Sequence, residues 1–336
     1  MLKILDVNPP AAIPGGEIFI RWTGAEIRTY TRPIVHFGKS PGHLVSSSAD
    51  LIVVNVPEEI TSTEVHVSLD GKQSNKAPCE IARQVAPNLH VVANPALDVE
   101  GNIFTTFSGR RGEKVQNSIF KISSSGGSAQ PFVSDLMNPT GIAFNSLGEM
   151  FVSSRDDGSI YKISPFGEKS VYAKGMGVAT GIAFDTNDNL YVGDRTGTLF
   201  KIDRKREIFV FATLEPSVAA YHLAFDSDQN LYVTGPTTSS YDQIYKIATD
   251  GNVSTYFTGL GRPQGLAFDT VGNLYVASSL GGRRGIIRIT PNREAALVVA
   301  GTNLVGLAFG HHRDLYVASN GTLFHLNFAA VGKPLP

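Results

Sequence analysis

The fold is decided by a phrase that returns along the chain: Gly141-Ile-Ala-Phe144, Gly181-Ile-Ala-Phe184, His222-Leu-Ala-Phe225, Gly265-Leu-Ala-Phe268 and Gly306-Leu-Ala-Phe309. Each copy is followed, after a turn, by an apolar triplet: Met150-Phe-Val152, Leu190-Tyr-Val192, Leu231-Tyr-Val233, Leu274-Tyr-Val276 and Leu315-Tyr-Val317. A degenerate first copy reads Pro95-Ala-Leu97, followed by Ile103-Phe104. The closing positions 97, 144, 184, 225, 268 and 309 lie 47, 40, 41, 43 and 41 residues apart, the period of a four-stranded propeller blade. Third strands recur as Ile119–Ile122, Ile160–Ile163, Leu199–Ile202, Ile244–Ile247, Ile286–Ile289 and Leu323–Leu326. The spacing therefore predicts an all-β chain with a six-bladed β-propeller over 89–336. The last unit stops after its third strand, and Leu89-His-Val-Val-Ala93 stands unattached before the first phrase. These residues are expected to supply the outer strand of the last blade, closing the ring and removing a free sheet edge.

Residues 1–82 lack the repeat. They hold short β-like runs, Ile18–Trp22, Ile34–Phe37, Leu51–Asn55 and Glu64–Ser68, separated by turn clusters such as Asn8-Pro9-Pro10 and Ser40-Pro41-Gly42. Short alternating strands at this spacing predict a small β-sandwich. The succession Asn8-Pro9-Pro10, Gly15-Gly16, Trp22-Thr-Gly24, Val56-Pro57, Ser74-Asn75 and Cys79-Glu-Ile81 resembles an IPT/TIG domain, an immunoglobulin-like module. In that family such modules serve as spacers, protein-interaction units or carbohydrate-associated units. Residues 83–88 read as a linker ending at Pro87.

Composition excludes several classes of partner. The 336 residues carry a formal net charge of −1, so bulk charge favours neither nucleic acid nor a membrane surface. No run approaches the ~18 apolar residues of a membrane span. No signal peptide is visible, which reads as cytoplasmic for the chain as it stands and as extracytoplasmic if a leader precedes it. Cys79 is the single cysteine, so no internal disulfide or cysteine metal cage is expected.

The repeat region resembles NHL-repeat propellers and the senescence-marker-protein/gluconolactonase superfamily, on Pro139-Thr-Gly-Ile-Ala-Phe144 and on Asp185 through Asn189-Leu-Tyr-Val-Gly-Asp194 with their cognates. The resemblance implies a lactonase with a divalent metal in the channel, held in part by carboxylate or amide side chains four residues before the aromatic that ends each inner strand. Here that offset selects Ala93, Thr140, Thr180, Tyr221, Gln264 and Val305, with no carboxylate and no Asn. A metal would find no anionic ligand to offset its desolvation, so no metal and no cofactor are expected.

Other motifs resolve into turns. Gly38-Lys-Ser40-Pro-Gly42 matches a serine-hydrolase spacing, but Pro41 has no N–H for an oxyanion hole. Asp185-Thr-Asn187-Asp-Asn189 imitates the start of a calcium loop without its Gly or distal Glu. His222 replaces the glycine of its inner strand, beside Tyr221, and packs between blades or serves a ligand. The loops of one face carry Arg110, Arg111, Lys114, Arg155, Arg195, Arg262, Arg283 and Arg284, interleaved with Glu113, Asp156, Asp157, Asp194 and Asp242. Either these charges pair with one another, or the arginines bind an anion by their forked N–H groups.

The sequence thus predicts a binding module. Its expected site is formed by Thr140, Arg155, Thr180, Asp194, Arg195, Tyr221, His222 and Gln264 at the channel mouth. The expected partner is a small anionic or sugar-like molecule or another protein, with no nucleic acid. The alternative is a divergent gluconolactonase-type hydrolase with its site in the channel.

Overall fold

The computed structural model describes residues 1–24, 32–60, 63–109, 113, 115–238 and 242–333. Every regular element among them is a β-strand. The first eighty residues form two antiparallel sheets. One orders Lys3–Asn8, Glu17–Thr23, Leu51–Asn55 and His43–Ser47; the other orders Ala77–Pro78, Glu64–Leu69, Ile34–Phe37 and Ser40–Pro41, with Lys72–Gln73 added to Glu64–Leu69. Alternation along these strands aims Ile18, Ile20, Trp22, Ile52 and Val54 of the first sheet at Val35, Phe37, Val65 and Val67 of the second, all within one buried cluster. The indole N–H of Trp22 donates to the Ser48 carbonyl at 3.0 Å, which satisfies its polar end.

The rest of the described chain is a β-propeller of six sheets, five of them built on four-strand meanders and the last a three-strand meander completed by a strand from before the first. The sheet from Pro139–Phe144 through Met150–Ser154 and Ile160–Ile163 to Lys169–Ala173 is representative. The returning phrase has two packing consequences. In four units the aromatic of the second strand meets the phenylalanine closing the next inner strand: Phe151 on Phe184, Tyr191 on Phe225, Tyr232 on Phe268 and Tyr275 on Phe309, with centroids 4.8–5.1 Å apart and rings edge-on. Phe144, Phe184 and Phe268 are buried, whereas Phe225 and Phe309, beside the chain's C-terminal residues, are only partly so. The turn after the phrase is held by its opening carboxylate. Asp185 Oδ1 accepts from the N–H groups of Asn187 and Asn189, both at 2.9 Å, and Oδ2 accepts from Asn189 Nδ2 and the Tyr191 hydroxyl. The calcium-loop look-alike is therefore a side-chain-capped turn.

The ring closes differently from the sequence expectation. The outer strand on Leu323–Asn327 is Arg83–Ala86, with Arg83 opposite His325 and Ala86 opposite Leu323. Arg83 Nε donates to His325 Nδ1 at 3.1 Å, and His325 Nε2 lies 2.6 Å from Asp314 Oδ1. The stretch read as a linker is thus the closing strand. The strand gives little apolar signal because Arg83 and Gln84 are both exposed and only Val85 and Ala86 turn inward. Leu89–Ala93 forms no strand. Asn88 turns the chain at φ 57°, and the backbone then bonds Gly321, Asn320 and Ser108, spanning the last and first meanders.

The two parts share a sheet. Ala11–Ala12 runs parallel to Ala295–Ala300, the outer strand of the fifth meander, and Glu80–Ile81 adds beyond it. Gly16 allows this approach, since a Cβ there would meet the Ala300 carbonyl oxygen at 2.5 Å. Arg283 completes the junction. Its guanidinium donates to Asn8 Oδ1 at 2.9 Å and to the Asn8 carbonyl at 2.7 Å, and its carbon sits 3.9 Å from the Phe19 ring centroid.

Candidate functional site

The six inner strands surround a cavity of about 700 Å³. Its wall follows from the third residue of the phrase. Ala96, Ala143, Ala183, Ala224, Ala267 and Ala308 all line it, each half-buried. Side chains alternate along a strand, so the residue two positions earlier faces the same way. That position holds Asn94, Gly141, Gly181, His222, Gly265 and Gly306.

The glycines bring the strands into contact and narrow the channel. A Cβ on Gly141 would stand 2.7 Å from the Thr180 carbonyl oxygen, and one on Gly306 would stand 2.7 Å from the Ala93 carbonyl oxygen. Two side chains fill what space remains in this layer. Asn94 donates from Nδ2 to the Leu266 carbonyl at 2.9 Å and accepts the Leu307 N–H on Oδ1 at 3.1 Å. His222 is 3 % exposed and lines the cavity, and no described residue hydrogen-bonds its ring nitrogens. Burial alone pushes its imidazole down to about 4, so the ring is neutral at pH 7.

The cavity opens between the turns that join inner to second strands. Polar groups at this rim are largely engaged. Asn145 Oδ1 accepts from Leu147 and Glu149 N–H, Ser146 bonds Asp188, and the Gln229 carboxamide oxygen accepts the Thr186 N–H. The C-terminal residues cross part of the opening. The Thr270 N–H donates to the Val331 carbonyl at 2.8 Å, and Gly332 bridges to Asp269. The Lys333 ammonium donates to the carbonyls of Phe225 and Asp226 at 3.2 and 2.7 Å. Desolvation lowers the Lys333 pKa, opposed by the nearby Asp226 carboxylate.

Of the residues expected at the mouth, His222 alone lines this cavity. Thr140, Thr180 and Tyr221 are each 1 % exposed. The register is irregular between Pro139 and Ile142, and again between Ala179 and Ile182, and Thr140 and Thr180 face neighbouring strands rather than the cavity. Thr180 Oγ1 donates to the Gly193 carbonyl at 2.9 Å and accepts the Tyr221 N–H at 3.1 Å. The Tyr221 hydroxyl bonds the Glu215 carbonyl, and the Gln264 carbonyl accepts from Thr234 Oγ1. These groups hold strands together, and a ring of neutral oxygens already engaged does not fit a divalent cation.

Each arginine of the pair bonds a backbone carbonyl. Arg155 donates from Nη2 to the Gly109 carbonyl at 3.2 Å, and Arg195 donates from Nε to the Ser217 carbonyl at 3.1 Å. Asp194 accepts from the Val178 and Thr196 N–H groups and from the Thr196 hydroxyl, capping its own loop. Arg283 lies at the junction described above, while Arg110, Arg111 and Lys114 lie outside the described residues. Sequence reasoning missed the alanine belt, although its signal was present as alanine in all six copies of the phrase.

No protein-family model matches the chain, and no curated protein matches it. Solved structures share its fold. A protein described as a gluconolactonase superposes with a TM-score of 0.63 at 17% identity, over 76% of this chain and 94% of its own. An auxiliary nutrient binding protein from Bacteroides ovatus superposes with a TM-score of 0.58 at 10% identity, over 99% of this chain and 98% of its own. A catalytically inactive virginiamycin B lyase from Staphylococcus aureus, with quinupristin, gives 0.54 at 15% identity, over 89% and 99%. Similarity at these identities establishes the propeller fold, which hosts many functions.

Proposed function

We propose that the protein binds a small, uncharged and mainly apolar molecule in the channel, reached from the face that carries the inner-to-second turns. The observation that carries this reading is the belt of six alanines around a cavity of about 700 Å³. That volume falls within the roughly 300–1,000 Å³ of small-molecule sites. The anionic or sugar-like ligand expected from sequence fits less well. Arg155 and Arg195 bond neighbouring backbone carbonyls, and the Lys333 ammonium is held by two more. A sugar would also need several partners for its hydroxyls, because each unmet one carries a desolvation penalty. The first eighty residues serve as an immunoglobulin-like spacer docked on the fifth meander. The likeness to a nutrient binding protein, which spans nearly the whole chain, supports a binding role.

The test is titration with a neutral fluorescent probe such as N-phenyl-1-naphthylamine. Ala183→Leu and Ala224→Leu together should reduce probe affinity at least about tenfold, from lost volume, while the thermal melt stays cooperative. Undiminished binding by a folded double variant overturns the reading.

A hydrolase or lyase is the second reading. It is favoured by the imidazole of His222 in the cavity wall, neutral at pH 7 and without a hydrogen-bond partner among the described residues, which is placed to hydrogen-bond a reacting group. Enzymes of both kinds stand among the similar folds. Turnover of lactones or esters that disappears in His222→Gln would support it; turnover unchanged in that variant would remove His222 from the chemistry.

A further inference from the structure

Resting on the channel-binding reading, we infer that the ligand carries a hydroxyl group on its apolar body, and that His222 is the residue that selects it. The inner end of the cavity holds two polar side chains, Asn94 and His222. Asn94 bonds Leu266 and Leu307, which ties its amide to the backbone. His222 is buried, lines the cavity and has no hydrogen-bond partner among the described residues. Its ring nitrogens face the cavity rather than closed protein, so a ligand that fills the channel displaces their water, and one that supplies a new partner gains over one that does not.

The class of partner follows from imidazole chemistry. A neutral ring has one donor nitrogen and one acceptor nitrogen, and either tautomer is open to it. A hydroxyl complements both, since it donates and accepts. A carboxylate would be drawn to an imidazolium, but charging this ring means placing a cation in an apolar enclosure. An ammonium ligand would meet the same penalty, with no free carboxylate among the cavity's lining: Asp98, the acidic residue there, bonds Glu100 and Asn102 N–H groups and the Asn102 amide. Water competes for the same nitrogen, so the net preference for a hydroxyl is about three- to tenfold.

The experiment compares three probes of one shape, 2-naphthol, naphthalene and 2-naphthoate, as competitors of the neutral dye on the full chain at pH 7. The expected order is 2-naphthol tightest by about three- to tenfold, then naphthalene, then 2-naphthoate. His222→Leu should bring 2-naphthol to the affinity of naphthalene, while His222→Gln, which keeps a donor and an acceptor, should retain much of the preference. Equal affinities of 2-naphthol and naphthalene in the wild type, tightest binding of 2-naphthoate, or a preference surviving His222→Leu would each overturn the inference. Naphthalene binding that is lost on filling the alanine belt, without any hydroxyl preference, sinks the selection by His222 alone. Absence of binding by all three probes sinks the channel reading with it.

Discussion

The Asn94 side chain lies across Gly265, its amide bridging the Leu266 carbonyl and the Leu307 N–H, and a Cβ on Gly265 would overlap its Oδ1. The first meander thereby ties the fifth and sixth together on the channel axis. Gly265→Ala should force Asn94 out of this bridge and destabilise the propeller by about 1–3 kcal/mol. Asn94→Ala should cost a similar amount by leaving two backbone groups unpaired. The double variant should lose less than the sum, because the clash with Asn94 has gone, while those of the added Cβ with Gly306 Cα at 2.5 Å and the Val305 carbonyl oxygen at 2.9 Å remain. Urea melts of the three proteins measure this coupling, and strict additivity would contradict the contact.

Closure gives a second expectation. A chain beginning at Ala82 keeps the outer strand Arg83–Ala86 on Leu323–Asn327, and one beginning at Asn88 does not. The first should melt cooperatively. It should also self-associate, because removal of Ala11–Ala12 uncovers the edge strand Ala295–Ala300. The second should lose its cooperative transition. Thermal melts and size-exclusion profiles of the two decide it: a cooperative melt of the shorter chain would mean that Arg83–Ala86 does not close the ring.

The repeat made the meanders legible because each phrase residue has a single packing role. The phenylalanine meets an aromatic of the preceding meander, and the Asp caps its own turn. The alanine lines the cavity and passed unnoticed, since a small residue in a strand gives no chemical signal by itself. Charged residues pose the opposite difficulty. Arg155, Arg195 and Arg283 look like ligand groups in sequence, yet each commits its guanidinium to a backbone carbonyl far along the chain. Nothing local in sequence reveals such partners. Thr140 and Thr180 look like ligand groups too, yet they stand three residues before the channel-lining Ala143 and Ala183, an odd offset that faces away from the channel.

Arg283 supports a third expectation. Its fork holds the amide oxygen and the carbonyl of Asn8 while its plane covers Phe19. Arg283→Ala should loosen the first eighty residues from the propeller. Arg283→Lys should do nearly the same, because an ammonium lacks the planar fork. Limited proteolysis near residues 8–16 should speed up in both, with the propeller's own melt shifted by about 1–3 kcal/mol at most. Cleavage as slow as in the wild type would show that the shared sheet alone holds the junction.

The last expectation concerns pH. His222 titrates at about 4 in the folded chain against an ordinary value of 6.5, and the cause is burial. The unfolded chain therefore binds this proton more readily between pH 4 and 6.5. By linkage, stability rises with pH across that window, so the neutral ring's contribution is present in full above pH 6.5 and lost as pH falls toward 4. The size is about 3 kcal/mol over the window, at about 1.4 kcal/mol per pH unit. His222→Gln has nothing to titrate and should flatten this part of the profile. Other groups on the same face contribute slopes of their own, so the comparison is between the two proteins at each pH rather than along one curve. Urea melts at half-unit steps from pH 4 to 7.5 measure the difference. Parallel profiles would mean that the imidazole is hydrated in the folded chain, and the same result would weaken the assignment of His222 as a desolvated selector in the channel.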